Sequence, residues 1–65
     1  MNITVNGENR QTEKNTVAEL LTELNISPAR VAVEVNLEII KKTGYCSCRL
    51  KEGDMVEIVN FVGGG

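Results

Sequence analysis

One stretch of this chain repeats with a helical period while the apolar residues around it alternate, and that contrast restricts the possible folds more than any other feature. Val17, Leu20, Leu21 and Leu24 fall at i, i+3, i+4 and i+7, one apolar stripe, while Glu19, Thr22 and Glu23 face water. Thr16-Val17-Ala18-Glu19 fits a capping box. In it the Thr16 hydroxyl accepts the Glu19 amide and the Glu19 carboxylate reaches back to the Thr16 amide, so the helix is predicted to begin at Val17. Asn25 suits the left-handed conformation that ends a helix and Pro28 blocks its continuation, which leaves two to three turns.

The flanking segments read as strands. Ile3 and Val5 alternate with Asn2, Thr4 and Asn6, and Asn6-Gly7 is a strong hairpin signal, so Glu8 to Glu13 is expected to pair back as a solvent-facing second strand. Val31, Val33 and Val35 alternate with Ala32 and Glu34 as a third strand, and Asn36-Leu37-Glu38 turns into a short fourth, Ile39-Ile40. Lys41 to Arg49 has no clear period. The turn cluster Lys51-Glu52-Gly53-Asp54 precedes Met55 to Val62, the longest strand-like run. With 65 residues there is room for one domain, and this order predicts an α+β fold in which the helix packs across one face of a mixed four- or five-stranded sheet. Strict alternation in the last run turns Val56 and Ile58 toward the helix and Glu57, Val59 and Phe61 outward.

The charge balance narrows the possible functions. A net charge of -2 with scattered basic residues carries no footprint for nucleic acid or an anionic membrane. No apolar run reaches the length of a signal core or a membrane span, so a cytoplasmic protein is expected. Histidine is absent, which removes the commonest general base and the commonest transition-metal ligand. Cys46 and Cys48 are too few to complete a tetrahedral zinc site and too close to close a stabilising disulfide loop. They are expected to be reduced and incidental. Glu8, Glu13, Glu19 and Glu23 read as solvated and capping positions. No metal, no bound cofactor and no catalytic residue is predicted.

The ending Phe61-Val62-Gly63-Gly64-Gly65 is not explained by stability, because glycine loses the most backbone entropy on ordering and buries no side chain. Residues 1–62 are expected to form the domain and residues 63–65 a flexible tail. A glycine α-carboxylate is ionised at neutral pH and is a poor acyl electrophile. An ATP-consuming partner could convert it to an acyl adenylate open to attack by sulfur or nitrogen. Gly63 and Gly64 would thread a narrow passage, and no Cβ would shield the Gly65 carbonyl. Val59, Phe61 and Val62 are the predicted anchors, since docking must offset an ordering cost of about 1–2 kcal/mol per tail residue.

Taken together, Ile3-Thr4-Val5-Asn6-Gly7-Glu8, Thr16-Val17-Ala18-Glu19-Leu20-Leu21, Val31-Ala32-Val33-Glu34-Val35-Asn36, Leu50-Lys51-Glu52-Gly53-Asp54, Val56-Glu57-Ile58-Val59 and Val62-Gly63-Gly64-Gly65 form a pattern along the whole chain. It resembles the sulfur-carrier proteins of thiamine biosynthesis, small ubiquitin-like domains of the β-grasp fold. The resemblance implies that Gly65 is adenylated by an adenylyltransferase related to ubiquitin-activating enzymes and then converted to a thiocarboxylate. The sulfur would come from a cysteine desulfurase or similar donor and pass to thiazole synthase. Gly64 and Gly65 would be the diglycine end, the outer face of the last strand would meet the partners, and the free protein is expected to be a monomer. The sequence departs from the family at Lys41-Lys42, where a proline and an arginine are common, and in carrying Cys46 and Cys48.

Three other readings predict different behaviour. A carrier for molybdopterin or cysteine formation would use the same tail chemistry. A non-covalent ubiquitin-like interaction module would keep its partner's function when Gly65 is deleted. A thiol-based metal or redox protein would lose activity when both cysteines become serine.

Overall fold

Two tight hairpins frame the sheet of the computed structural model, which describes residues 1–61. The first joins β1 (Asn2–Val5) to β2 (Glu8–Gln11) in antiparallel register, Val5 opposite Glu8. Its two turn residues, Asn6 and Gly7, have φ of 50° and 83°, as a two-residue turn with the twist of its strands requires. The second joins β3 (Val31–Val35) to β4 (Glu38–Ile40) with Val35 opposite Glu38. The turn residues here are Asn36 and Leu37, at φ of 53° and 70°. Glu38, expected in the turn, is therefore already in the strand.

β5 (Met55–Asn60) lies between the hairpins, parallel to β1 and antiparallel to β3, which gives the mixed order β2-β1-β5-β3-β4. The one α-helix among the described residues, α1 (Val17–Glu23), starts where the capping pattern placed it. The Glu19 amide donates to the Thr16 hydroxyl at 3.2 Å. The Glu19 carboxylate, however, accepts from the Asn15 amide at 2.9 Å and not from Thr16, so the reciprocal half of the box reaches one residue further back. Asn25 closes the helix with φ of 60°, and a 3-10 turn, Pro28–Arg30, leads into β3. One helix across one face of a five-stranded mixed sheet is the architecture predicted above.

Alternation decides what is buried. Val31, Val33 and Val35 from β3, Val56 from β5 and Ile3 from β1 meet Val17, Leu20 and Leu21 of α1 in one core. Burying each of these side chains contributes about 1.5–3 kcal/mol. Two parts of the core lie in segments without a periodic signal. Tyr45, after the 3-10 turn Lys42–Gly44, is buried and donates its hydroxyl to the Val31 carbonyl at 3.3 Å. Leu50 is buried as well, beside an isolated bridge between Thr16 and Arg49. β2 ends at Gln11 instead of Glu13 because Thr12 turns inward. Its hydroxyl donates to Glu23 at 2.8 Å and accepts the Lys14 amide at 3.0 Å, tying the hairpin to the helix end.

Candidate partner-docking surface

β5 faces in two directions. Val56 is fully buried and Ile58 half-buried on the helix side, whereas Met55, Glu57, Val59 and Phe61 alternate on the outer face, as predicted for Glu57, Val59 and Phe61. Nothing in the described residues covers that face: Met55 is 47% exposed, Val59 61% and Phe61 48%. The neighbouring strands extend the apolar row, because Ala32 of β3 stands opposite Val59 and Ile39 of β4 stands opposite Glu34. Ile39 is also well exposed. Met55, Ala32 and Ile39 were not among the predicted anchors. The period of 2 in each strand carried that signal, but the cross-strand register was needed to bring the residues together.

Within this apolar row Glu34 stands directly opposite Glu57. Like charges in opposed positions destabilise a sheet, so packing does not account for the pair. Asn6 and Asn36 steady β5 from either side. The Asn6 side chain accepts the Ile58 amide at 2.7 Å and donates to the Ile58 carbonyl at 3.2 Å. The Asn36 side chain accepts the Met55 amide at 3.0 Å and donates to buried Asp54 at 3.0 Å. Asp54 in turn accepts the Lys51 amide at 2.8 Å, which closes the turn that aims β5.

The described chain ends at Phe61. Its amide donates to the Arg30 carbonyl at 2.8 Å, and the Lys42 ammonium lies 4.5 Å from its ring centroid, a cation–π contact. Val62, Gly63, Gly64 and Gly65, the other predicted docking, threading and modification positions, lie outside the described residues. A cleft of about 410 Å³ opens elsewhere, between the first hairpin and Leu24 and Ile26. The exposed outer row lies apart from that cleft.

Cys46 is exposed and Cys48 half-buried; both are free thiols. Burial pushes the Cys48 thiol above its ordinary range, and the Asp54 charge adds to the shift. Among the described residues no group of three or more histidine, cysteine, aspartate or glutamate side chains could hold a metal ion. No helix among them is long and apolar enough to cross a membrane.

Comparison with known proteins gives a consistent result. A sequence model of the ThiS family matches residues 3–65. A thiazole synthase of Paramagnetospirillum magneticum is 46% identical over 66 residues, covering all of this chain but only 20% of that protein. The chain thus spans about a fifth of that relative's length. A sulfur carrier protein ThiS of Bacillus subtilis is 40% identical over 63 residues, covering 94% of this chain and 96% of the relative. Among solved structures, the thiamine biosynthesis protein (ThiS) of Geobacter metallireducens superposes with a TM-score of 0.85 at 38% identity, and each chain is covered in full.

Proposed function

Because this chain belongs to the ThiS family and has its ubiquitin-like β-grasp fold, we propose that it carries sulfur for thiamine biosynthesis as a thiocarboxylate on Gly65. The observation that carries this reading is the exposed row Met55 and Val59 on β5 and Phe61 just after it, which in sequence immediately precedes Val62-Gly63-Gly64-Gly65. The match to the family model also runs through residue 65.

The chemistry is supplied by partners. On a chain ending at Gly65, the carboxylate attacks the α-phosphorus of ATP in a ubiquitin-activating-like adenylyltransferase, expelling pyrophosphate. The terminal sulfur of a persulfide on a cysteine desulfurase or another donor then attacks the adenylate carbonyl and displaces AMP, giving an acyl disulfide. A thiol cleaves that disulfide, leaving the thiocarboxylate on Gly65 and a new disulfide between the thiol and the donor sulfur. Val59 and Phe61, with Val62, dock the domain, while Gly63 and Gly64 thread the active-site passage. ATP belongs to the partner, and the carrier itself is the substrate. Thiazole synthase is the proposed acceptor. A carrier-like stretch within a thiazole synthase polypeptide supports that pairing. Free thiols at Cys46 and Cys48 fit a reducing cytoplasm.

Mass spectrometry tests the reading. The protein is incubated with an activating enzyme, ATP and a sulfur source, then cleaved. The fragment must hold Gly65 and exclude Met1, Cys46, Cys48 and Met55, because one oxygen added to any of those mimics the nominal mass change of oxygen exchanged for sulfur. A sulfur-for-oxygen shift on that fragment is expected. An unshifted fragment together with no trapped adenylate would overturn the proposal.

A further inference from the structure

The ladder between β3 and β5 ends at Val31 opposite Asn60, so Phe61 stands one residue beyond the sheet. It is held there by two contacts of different kinds. The backbone is fixed by the amide bond to the Arg30 carbonyl at 2.8 Å, and the ring is fixed by the Lys42 ammonium 4.5 Å from its centroid. With Phe61 48% exposed, packing alone does not set the direction of its ring.

Lys42 is itself well placed. It opens the 3-10 turn Lys42–Gly44, which leads into buried Tyr45, and the Tyr45 hydroxyl bonds to the carbonyl of Val31, the residue opposite Asn60. The support for Lys42 and the support for the end of β5 therefore converge on one residue. Among the described residues the one ion pair joins Lys51 and Asp54, so no described carboxylate competes for the Lys42 ammonium.

We propose that Lys42 is a positioning residue, whose cation–π contact with Phe61 sets the direction in which the chain leaves β5 and so presents residues 62–65 to the activating enzyme. This inference rests on the carrier reading above. Restricting the exit direction before docking removes part of the ordering cost that binding must otherwise offset.

The test is ATP–pyrophosphate exchange by a purified carrier-activating adenylyltransferase, measured against carrier concentration. An exposed cation–π contact corresponds to about a two- to fivefold population change, so Lys42→Ala should raise KM for the carrier by that factor and leave kcat unchanged. Lys42→Arg should restore KM, Lys42→Met should not, and Lys14→Ala should behave as wild type. In a Phe61→Leu background, Lys42→Ala should add nothing. An additive effect there would mean that Lys42 acts on the partner directly, and an unchanged KM would mean that it does not act; either overturns the proposal. A second measurement needs no partner. In the free protein Lys42→Ala should speed exchange of the Phe61 amide by the same two- to fivefold, and the Lys42 ε-protons should lose their ring-current shift in Phe61→Leu. Unaltered Phe61 exchange overturns the proposal as well. If wild-type protein supports no exchange of pyrophosphate, the carrier reading fails, and the presentation role that depends on it falls too.

Discussion

Leu37 occupies the position in the second hairpin that Gly7 occupies in the first, with φ of 70° against 83°. A side chain in the left-handed region costs about 1–2 kcal/mol, and Leu37, 82% exposed, recovers little of it by burial. Leu37→Gly should therefore stabilise the domain, by up to about 1 kcal/mol once the extra freedom of glycine in the unfolded chain is subtracted. For a domain of this size that is a rise in Tm of about 4–8 °C, readable by circular dichroism. A fall would show that the Leu37 side chain makes contacts worth more than its backbone strain. At this scale the sequence was legible where one residue does one local job: Asn6-Gly7 turns, Thr16 caps, Asn25 terminates. It was not legible at Thr12, Tyr45 and Asp54, whose burial depends on groups far along the chain. Asp54 looked like a turn residue, and only the folded register brings Asn36 to its carboxylate.

Among the elements, β5 combines two demands that conflict. Its inner residues, Val56 and Ile58, serve the core, and its outer residues leave an apolar row broken by the opposed carboxylates Glu34 and Glu57. Replacing Glu57 by Gln removes the repulsion and should raise stability to urea by about 0.2–1 kcal/mol, most clearly at low salt. Val59→Ser, on the same face but 61% exposed, should change stability by less than about 0.5 kcal/mol while weakening capture by the activating enzyme. Measuring both quantities on both variants separates the two roles of the strand. Loss of stability comparable to loss of binding in Val59→Ser would place Val59 in the core's support and remove it from the docking surface. The two faces of β5 could be read from alternation alone. The composition of the whole outer surface could not, because Ala32, Ile39 and Met55 belong to three strands whose register no local pattern states.

For the molecule as a whole, burial of two titratable groups gives stability a direction in pH. Tyr45 and Cys48 are both pushed above their ordinary values of 10.0 and 9.0, in each case chiefly by burial. The folded protein therefore holds these two protons at a pH where the unfolded chain has begun to release them. Stability falls with rising pH wherever the folded state binds more protons, so this contribution is intact below the ordinary values and is lost as pH rises from them through the raised values of the folded state. Urea midpoints should be flat with respect to these groups near neutrality and should decline above about pH 9. The chain's negative charge also grows in that range and adds a general repulsion, so the decline by itself does not identify its source. The double variant Tyr45→Phe, Cys48→Ala does. It should start about 1 kcal/mol or more lower at neutral pH, having lost the hydroxyl bond to Val31 and part of the Cys48 packing, yet fall less steeply in alkali. A double variant that keeps the full alkaline slope would assign the decline to overall charge and remove Tyr45 and Cys48 from the account.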